Sequence, residues 1–168
     1  TKANSERLKA ISAPHGIHLQ GPGSVKAHES PHFIPVEPRS IEVYHHLPGT
    51  PLTGLAAIID TQPQALIQLS YGAGNAPDSP EMRNLLLRAR AQGTLLINCS
   101  QCFRANVNMD LYEAAAALRE MGTIGAGTMT LEALVAKLHV LLSLYDQASD
   151  IEHHLLAPWS QELPRPAL

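Results

Sequence analysis

The feature that most restricts the fold is the run Ala65-Leu66-Ile67-Gln68-Leu69-Ser70-Tyr71, which passes through Gly72-Ala73-Gly74-Asn75-Ala76-Pro77 into Asp78-Ser79-Pro80-Glu81. It reads as an apolar strand, a glycine turn and a helix start, the unit that puts ligands at the carboxyl ends of strands in open α/β sheets. The glycines let the backbone turn tightly and approach a partner closely, and the helix start offers free N–H groups. The turn is thus a structural β-α connection or a binding element, with Ser70 and Asn75 the polar groups best placed to reach a partner.

The same plan recurs along the chain. Ile41–Leu47 reads as a strand, and Thr50 with Pro51 marks a helix start whose apolar face is Leu52, Leu55, Ala56 and Ile59. Before the next helix, either Asp78 and Glu81 form a capping box or Ser79 caps with Pro80 following. That helix carries Met82, Leu85, Leu86 and Ala89 and closes at Gly93.

Thr94–Asn98 is a third, almost wholly apolar strand, as burial on both faces requires. A helix starting at Asp110 ends at Gly122, and a short fourth strand falls at Thr123–Ala126. Leu131, Leu134, Val135, Leu138, Leu141 and Leu142 then mark a helix with Thr130 as cap, followed by a shorter one at Asp150–Leu156. Four strands alternating with helices predict an α/β fold: a three-layer Rossmann-like domain on an about four-stranded parallel sheet.

Residues 1–40 lack a long period and are punctuated by Pro14, Pro22, Pro31, Pro35 and Pro38. A helical turn at Ser5–Ala10 and a strand at Gly16–Gln20 are expected within a connector. The chain begins without Met in a polar run, so residues 1–40 read as an interdomain linker and the end of a missing N-terminal domain. Residues 41–157 are the α/β domain, and 158–168 a proline-marked tail.

Composition narrows the function. The 168 residues carry 12 Lys plus Arg against 15 Asp plus Glu, a net charge of −3 with no basic stripe, so nucleic acid is not an expected partner. No run reaches the roughly 18 apolar residues of a membrane span, and the polar start is not a signal peptide.

Cys99-Ser100-Gln101-Cys102 lacks the further ligands of a zinc site and the following helix of a redox pair, so two reduced thiols are expected. The adjacent pairs His45-His46 and His153-His154 do not present two nitrogens to one metal. The glycine turn fails the dinucleotide fingerprint because Pro77 stands where its third glycine belongs. No G-x-S-x-G nucleophile elbow is present.

Three motifs carry a resemblance: Ser70-Tyr71-Gly72-Ala73-Gly74-Asn75-Ala76-Pro77, Gln101-Cys102 leading to Val107-Asn108-Met109, and Gly127-Thr128-Met129-Thr130-Leu131-Glu132-Ala133 followed by Lys137-Leu138. In order and spacing, over roughly residues 1–145, they resemble the C-terminal domain of bacterial cytoplasmic, type I L-asparaginases. The resemblance implies an amidohydrolase that converts L-asparagine, or L-glutamine, to the acid and ammonia through a threonine nucleophile in an N-terminal domain. It implies no metal and no cofactor, a cytoplasmic location, and a homodimer or homotetramer whose active sites lie at a subunit contact.

Thr1-Lys2 is similar to the family's Thr-Lys step, which makes Lys2 the relay lysine that moves protons. Ser70 and Asn75 fall on the element that closes the neighbour's site. Thr1, Gln101 and Cys102 fall on the family's allosteric asparagine site, but Leu69 replaces the arginine that would grip the ligand carboxylate. The isolated chain is expected to be inactive. Two alternatives come from other classes: a non-catalytic oligomerisation or amino-acid-binding module, and the asparaginase-like subunit of a tRNA-dependent amidotransferase.

Overall fold

The computed structural model describes residues 9–13, 16–20, 35–102, 105–107 and 118–157. The chain forms two compact units, Thr1–His32 and Phe33–Leu168. In the first, β1 (Lys9–Ala13) pairs antiparallel with β2 (Gly16–Gln20), Lys9 opposite Gln20 and Ala13 opposite Gly16. The second strand lies where the sequence places it. Lys9 and Ala10, expected at the end of a helical turn, are instead extended, because their backbone groups join the hairpin ladder. Ser5–Leu8 lies outside the described residues.

In the second unit, β3 (Ile41–His45), β4 (Ala65–Ser70), β5 (Leu95–Ser100) and β6 (Ile124–Gly125) form a parallel sheet in sequence order. Four described α-helices accompany it: α1 (Thr53–Asp60), α2 (Pro80–Ala91), α3 (Leu131–Leu144) and α4 (Ala148–Leu156). Right-handed crossovers between strands in sequential order put successive connecting helices on one face. Accordingly, Leu55 and Ile59 of α1 and Met82 and Leu86 of α2 share one core with Leu66 and Leu96. Strand alternation sends Ala65, Ile67 and Ile97 to the opposite face, where Leu134, Leu138 and Leu141 of α3 and Ile151 and Leu155 of α4 cover them. This is the three-layer α/β sandwich the alternation predicts.

Local differences have physical causes. Thr50 does not cap α1: its N–H donates to Leu47 O at 3.2 Å across a turn with Pro48 second and Gly49 third at φ 74°, and the helix starts at Thr53. For α2 the open choice resolves to Ser79, whose Oγ accepts from Met82 N–H at 3.2 Å with Pro80 at the first helical position. Asp78 pairs with Arg83 instead, at 2.6 and 2.7 Å. Thr130 caps α3, accepting from Ala133 N–H. Residues 118–120 are helical, while the start of that helix at Asp110 and the tail 158–168 lie outside the described residues. Among the described residues no helix is long and apolar enough to cross a membrane.

Candidate functional site

Parallel packing brings the carboxyl ends of β3, β4 and β5 together, and the residues there turn polar. Tyr44, Gln68 and Asn98 lie in register across the three strands, with Ser70 opposite Ser100 one step further on. His46 follows Tyr44 on the same face. Gln68, Ser70 and Asn98 are completely buried, and His46 nearly so. Such groups cost free energy in a core unless hydrogen-bonded.

The glycine turn closes on itself. Tyr71 N–H donates to Asn75 O at 2.7 Å, and Asn75 N–H returns to Tyr71 O at 2.9 Å. Gly72 and Gly74 hold φ of 50° and 116°, conformations that L side chains resist. From β5, Asn98 Nδ2 donates to Gly74 O at 2.8 Å and Ser100 Oγ to Gly72 O at 2.6 Å. The Ser100 hydroxyl also accepts from Cys102 N–H at 2.9 Å.

Gln101 ties the strand ends together. Its Nε2 donates to His46 O at 2.7 Å and Leu69 O at 2.8 Å, while its backbone N–H donates to Ser70 O. The imidazole of His46 meets Gln68 Oε1 at 3.3 Å and sits edge-on to Tyr44, ring centroids 5.0 Å apart. Burial holds the His46 imidazole below its ordinary pKa and pushes the Cys99 thiol above its own. Cys102 is exposed and Cys99 buried, and both are free thiols.

The site residues read from the sequence have different surroundings here. Ser70 is sealed from solvent and donates its hydroxyl to Cys99 O at 3.2 Å. Asn75 is half-buried, and its Oδ1, like the Tyr71 hydroxyl on the same turn, is buried with no hydrogen-bond partner among the described residues. Gln101 and Cys102 sit on the loop beyond β5, beside the turn. Thr1 and Lys2 lie outside the described residues.

His45 and His46 alternate, one exposed and one buried, and His154 stacks on Tyr145 with ring centroids 4.6 Å apart. Among the described residues no three His, Cys, Asp or Glu side chains are grouped to hold a metal. Gln68 and Asn98 were not singled out from the sequence as site residues, and His46 and Ser100 entered it only within the His45-His46 pair and the Cys99–Cys102 segment. Their signal was polar residues two apart in otherwise apolar strands, a spacing that puts them on one face.

The hydroxyls of Ser70 and Ser100 are committed to backbone partners. This end of the sheet is therefore a hydrogen-bonded polar edge whose hydroxyls hold the backbone in place. Fold and site together define a Rossmann-like α/β domain with a braced polar turn at its ligand-side edge.

The chain belongs to the glutaminase/asparaginase C-terminal domain family, whose model matches residues 40–155. It resembles the C-terminal domain of bacterial type I L-asparaginases. Over 159 residues it is 33% identical to L-asparaginase 1 of Escherichia coli K12, covering 85% of this chain and 45% of that protein. The 60 kDa lysophospholipase of Homo sapiens is 30% identical over 129 residues, 72% of this chain and 22% of that one. The crystal structure of L-asparaginase I from Vibrio cholerae matches with a TM-score of 0.76 at 28% identity, covering 97% of this chain and 49% of its own. The thermostable L-asparaginase from Thermococcus kodakarensis shares the fold, with a TM-score of 0.77 at 21% identity over 94% of this chain and 47% of its own. The chain thus spans about half the length of these three asparaginases.

Proposed function

We propose that this chain is the C-terminal half of an L-asparaginase-like amidohydrolase that converts L-asparagine and water to L-aspartate and ammonia. The threonine nucleophile belongs to the N-terminal part, and the half described here closes the active site and supports a homodimer or homotetramer. The observation that carries this reading is the family match over residues 40–155, which takes in the whole parallel sheet. The self-closed turn bearing Asn75 supports it as the wall offered to a neighbouring subunit. In this reading Lys2 relays protons, Ser70 holds the turn's root from within, and Asn75 meets the substrate side. By sequence resemblance alone, Thr1, Gln101 and Cys102 correspond to the family's second, regulatory asparagine site, with Leu69 removing its carboxylate clamp. Substrate is bound without metal or cofactor, and the protein works in the cytoplasm.

Ammonia release from L-asparagine tests this, measured on the chain alone and on the full-length protein. Turnover is expected only from the full-length protein, and Lys2→Ala there is expected to abolish most of it. Turnover by the chain alone, or none by the full-length protein, overturns the reading. Light scattering of the full-length protein checks the oligomer, for which a monomer is the contrary result.

A further inference from the structure

We infer that Ser100 and Asn98 are positioning residues that brace the Asn75 turn from the neighbouring strand and so set its affinity for substrate. This rests on the proposed role of that turn in closing an active site. The turn's internal bonds run from the N–H groups of Tyr71, Gly74 and Asn75 to the carbonyls of Tyr71 and Asn75. The carbonyls of Gly72 and Gly74 turn outward, and each receives one side-chain donor from β5, Ser100 Oγ at 2.6 Å and Asn98 Nδ2 at 2.8 Å.

Two glycines at positive φ give a turn whose shape its own residues enforce weakly, because glycine samples many other conformations. The bracing donors come from a rigid place. Asn98 is completely buried in the middle of a six-residue strand, and Ser100 ends that strand with its hydroxyl also receiving Cys102 N–H at 2.9 Å. One hydroxyl therefore locks the turn after β4 to the loop after β5. Preorganisation of this kind spares the ordering cost that substrate binding would otherwise carry. Its loss falls on KM, since both side chains act on the backbone of the turn and not on substrate directly.

The test uses the full-length protein with Ser100→Ala, Asn98→Ala, the conservative Ser100→Thr, and Asn75→Ala alongside. Ser100→Ala is expected to speed amide exchange in the peptide covering residues 71–77 and to raise KM for L-asparagine roughly 3- to 10-fold, the worth of one hydrogen bond, with kcat nearly unchanged. Asn98→Ala is expected to do the same, and Ser100→Thr, which keeps the hydroxyl, to restore both readouts. Unchanged exchange in Ser100→Ala overturns the bracing role itself. Faster exchange with unchanged KM in both Ser100→Ala and Asn75→Ala overturns the inference through the role given to the turn. Faster exchange with KM raised only by Asn75→Ala shows that the turn serves the site without this brace, and equally overturns it.

Discussion

His46 and Gln68 meet side chain to side chain at 3.3 Å, both sealed inside the carboxyl end of the sheet. Burial is the main reason the imidazole sits below its ordinary pKa; the hydrogen bond to Gln68 opposes that and the nearby His45 adds to it. The unfolded chain, in which histidine titrates near about 6.5, therefore takes up this proton more readily than the folded one. The neutral imidazole contributes stability in full above that pH, and the contribution is lost as pH falls below it toward the depressed folded-state value. Urea unfolding at a series of pH values should show stability falling on acidification, with a shallower fall in His46→Gln. Equal slopes in the two proteins would falsify the assignment.

Arg90 packs into the space beside Gly122 where a Cβ would stand, and its Nη1 donates to Gly122 O at 2.8 Å. Gly122 also holds φ at 72°. Gly122→Ala thus meets both a left-handed backbone and an occupied site, and is expected to cost about 1–3 kcal/mol in thermal or urea unfolding. Adding Arg90→Ala should recover only the steric part, leaving the variant less stable than Arg90→Ala alone.

Ser79 and Asp78 are adjacent, yet only Ser79 caps α2. Ser79→Ala is expected to lower stability by about 1 kcal/mol. Asp78→Ala loses a solvent-exposed ion pair with Arg83 and is expected to cost less than the loss of the cap. Unfolding midpoints of the two variants measure the contrast, and a larger loss from Asp78→Ala contradicts the capping geometry.

Gln101 donates one amide nitrogen to two carbonyls, His46 O and Leu69 O, at 2.7 and 2.8 Å. Gln101→Ala is expected to cost about 1–3 kcal/mol because the His46 carbonyl loses its side-chain donor, while Leu69 O keeps the His46 N–H at 3.1 Å. Gln101→Glu should be worse near neutral pH, since a carboxylate then faces two carbonyl oxygens. That penalty raises the pKa of the introduced carboxyl, so the deficit of Gln101→Glu relative to wild type should shrink as pH falls. Chemical denaturation of the two variants at neutral and mildly acidic pH reads both effects.

Much of the architecture was legible because it is written in short-range periodicity. Leu55 and Ile59, and Leu134, Leu138 and Leu141, fall one helical turn apart, and each set is buried as that spacing requires. Capping was legible only in part. Thr50 has the chemistry of a cap but is used by the Pro48-Gly49 turn, and Ser79 and Asp78 were both qualified until side-chain geometry chose between them. Of the candidate site, the turn and Asn75 were marked by glycine spacing. Its braces were not, because Asn98 and Ser100, two apart and so on one face, show in the sequence that they are polar but not which carbonyls they reach.

Within the parallel-sheet unit the sequence by itself determined which segments are strands, which are helices, and that they alternate, since each of those properties depends on neighbours within a turn or two of backbone. The hairpin strand at Lys9–Ala13 was not read that way. Only the tertiary structure decided what the polar residues at the sheet's carboxyl end touch. Asn98 reaches Gly74, Ser100 reaches Gly72 and Gln101 reaches His46 across separations of 24, 28 and 55 residues. Those contacts exist because parallel pairing sets the strands in one register, which aligns the carbonyls of one segment with the donors of another.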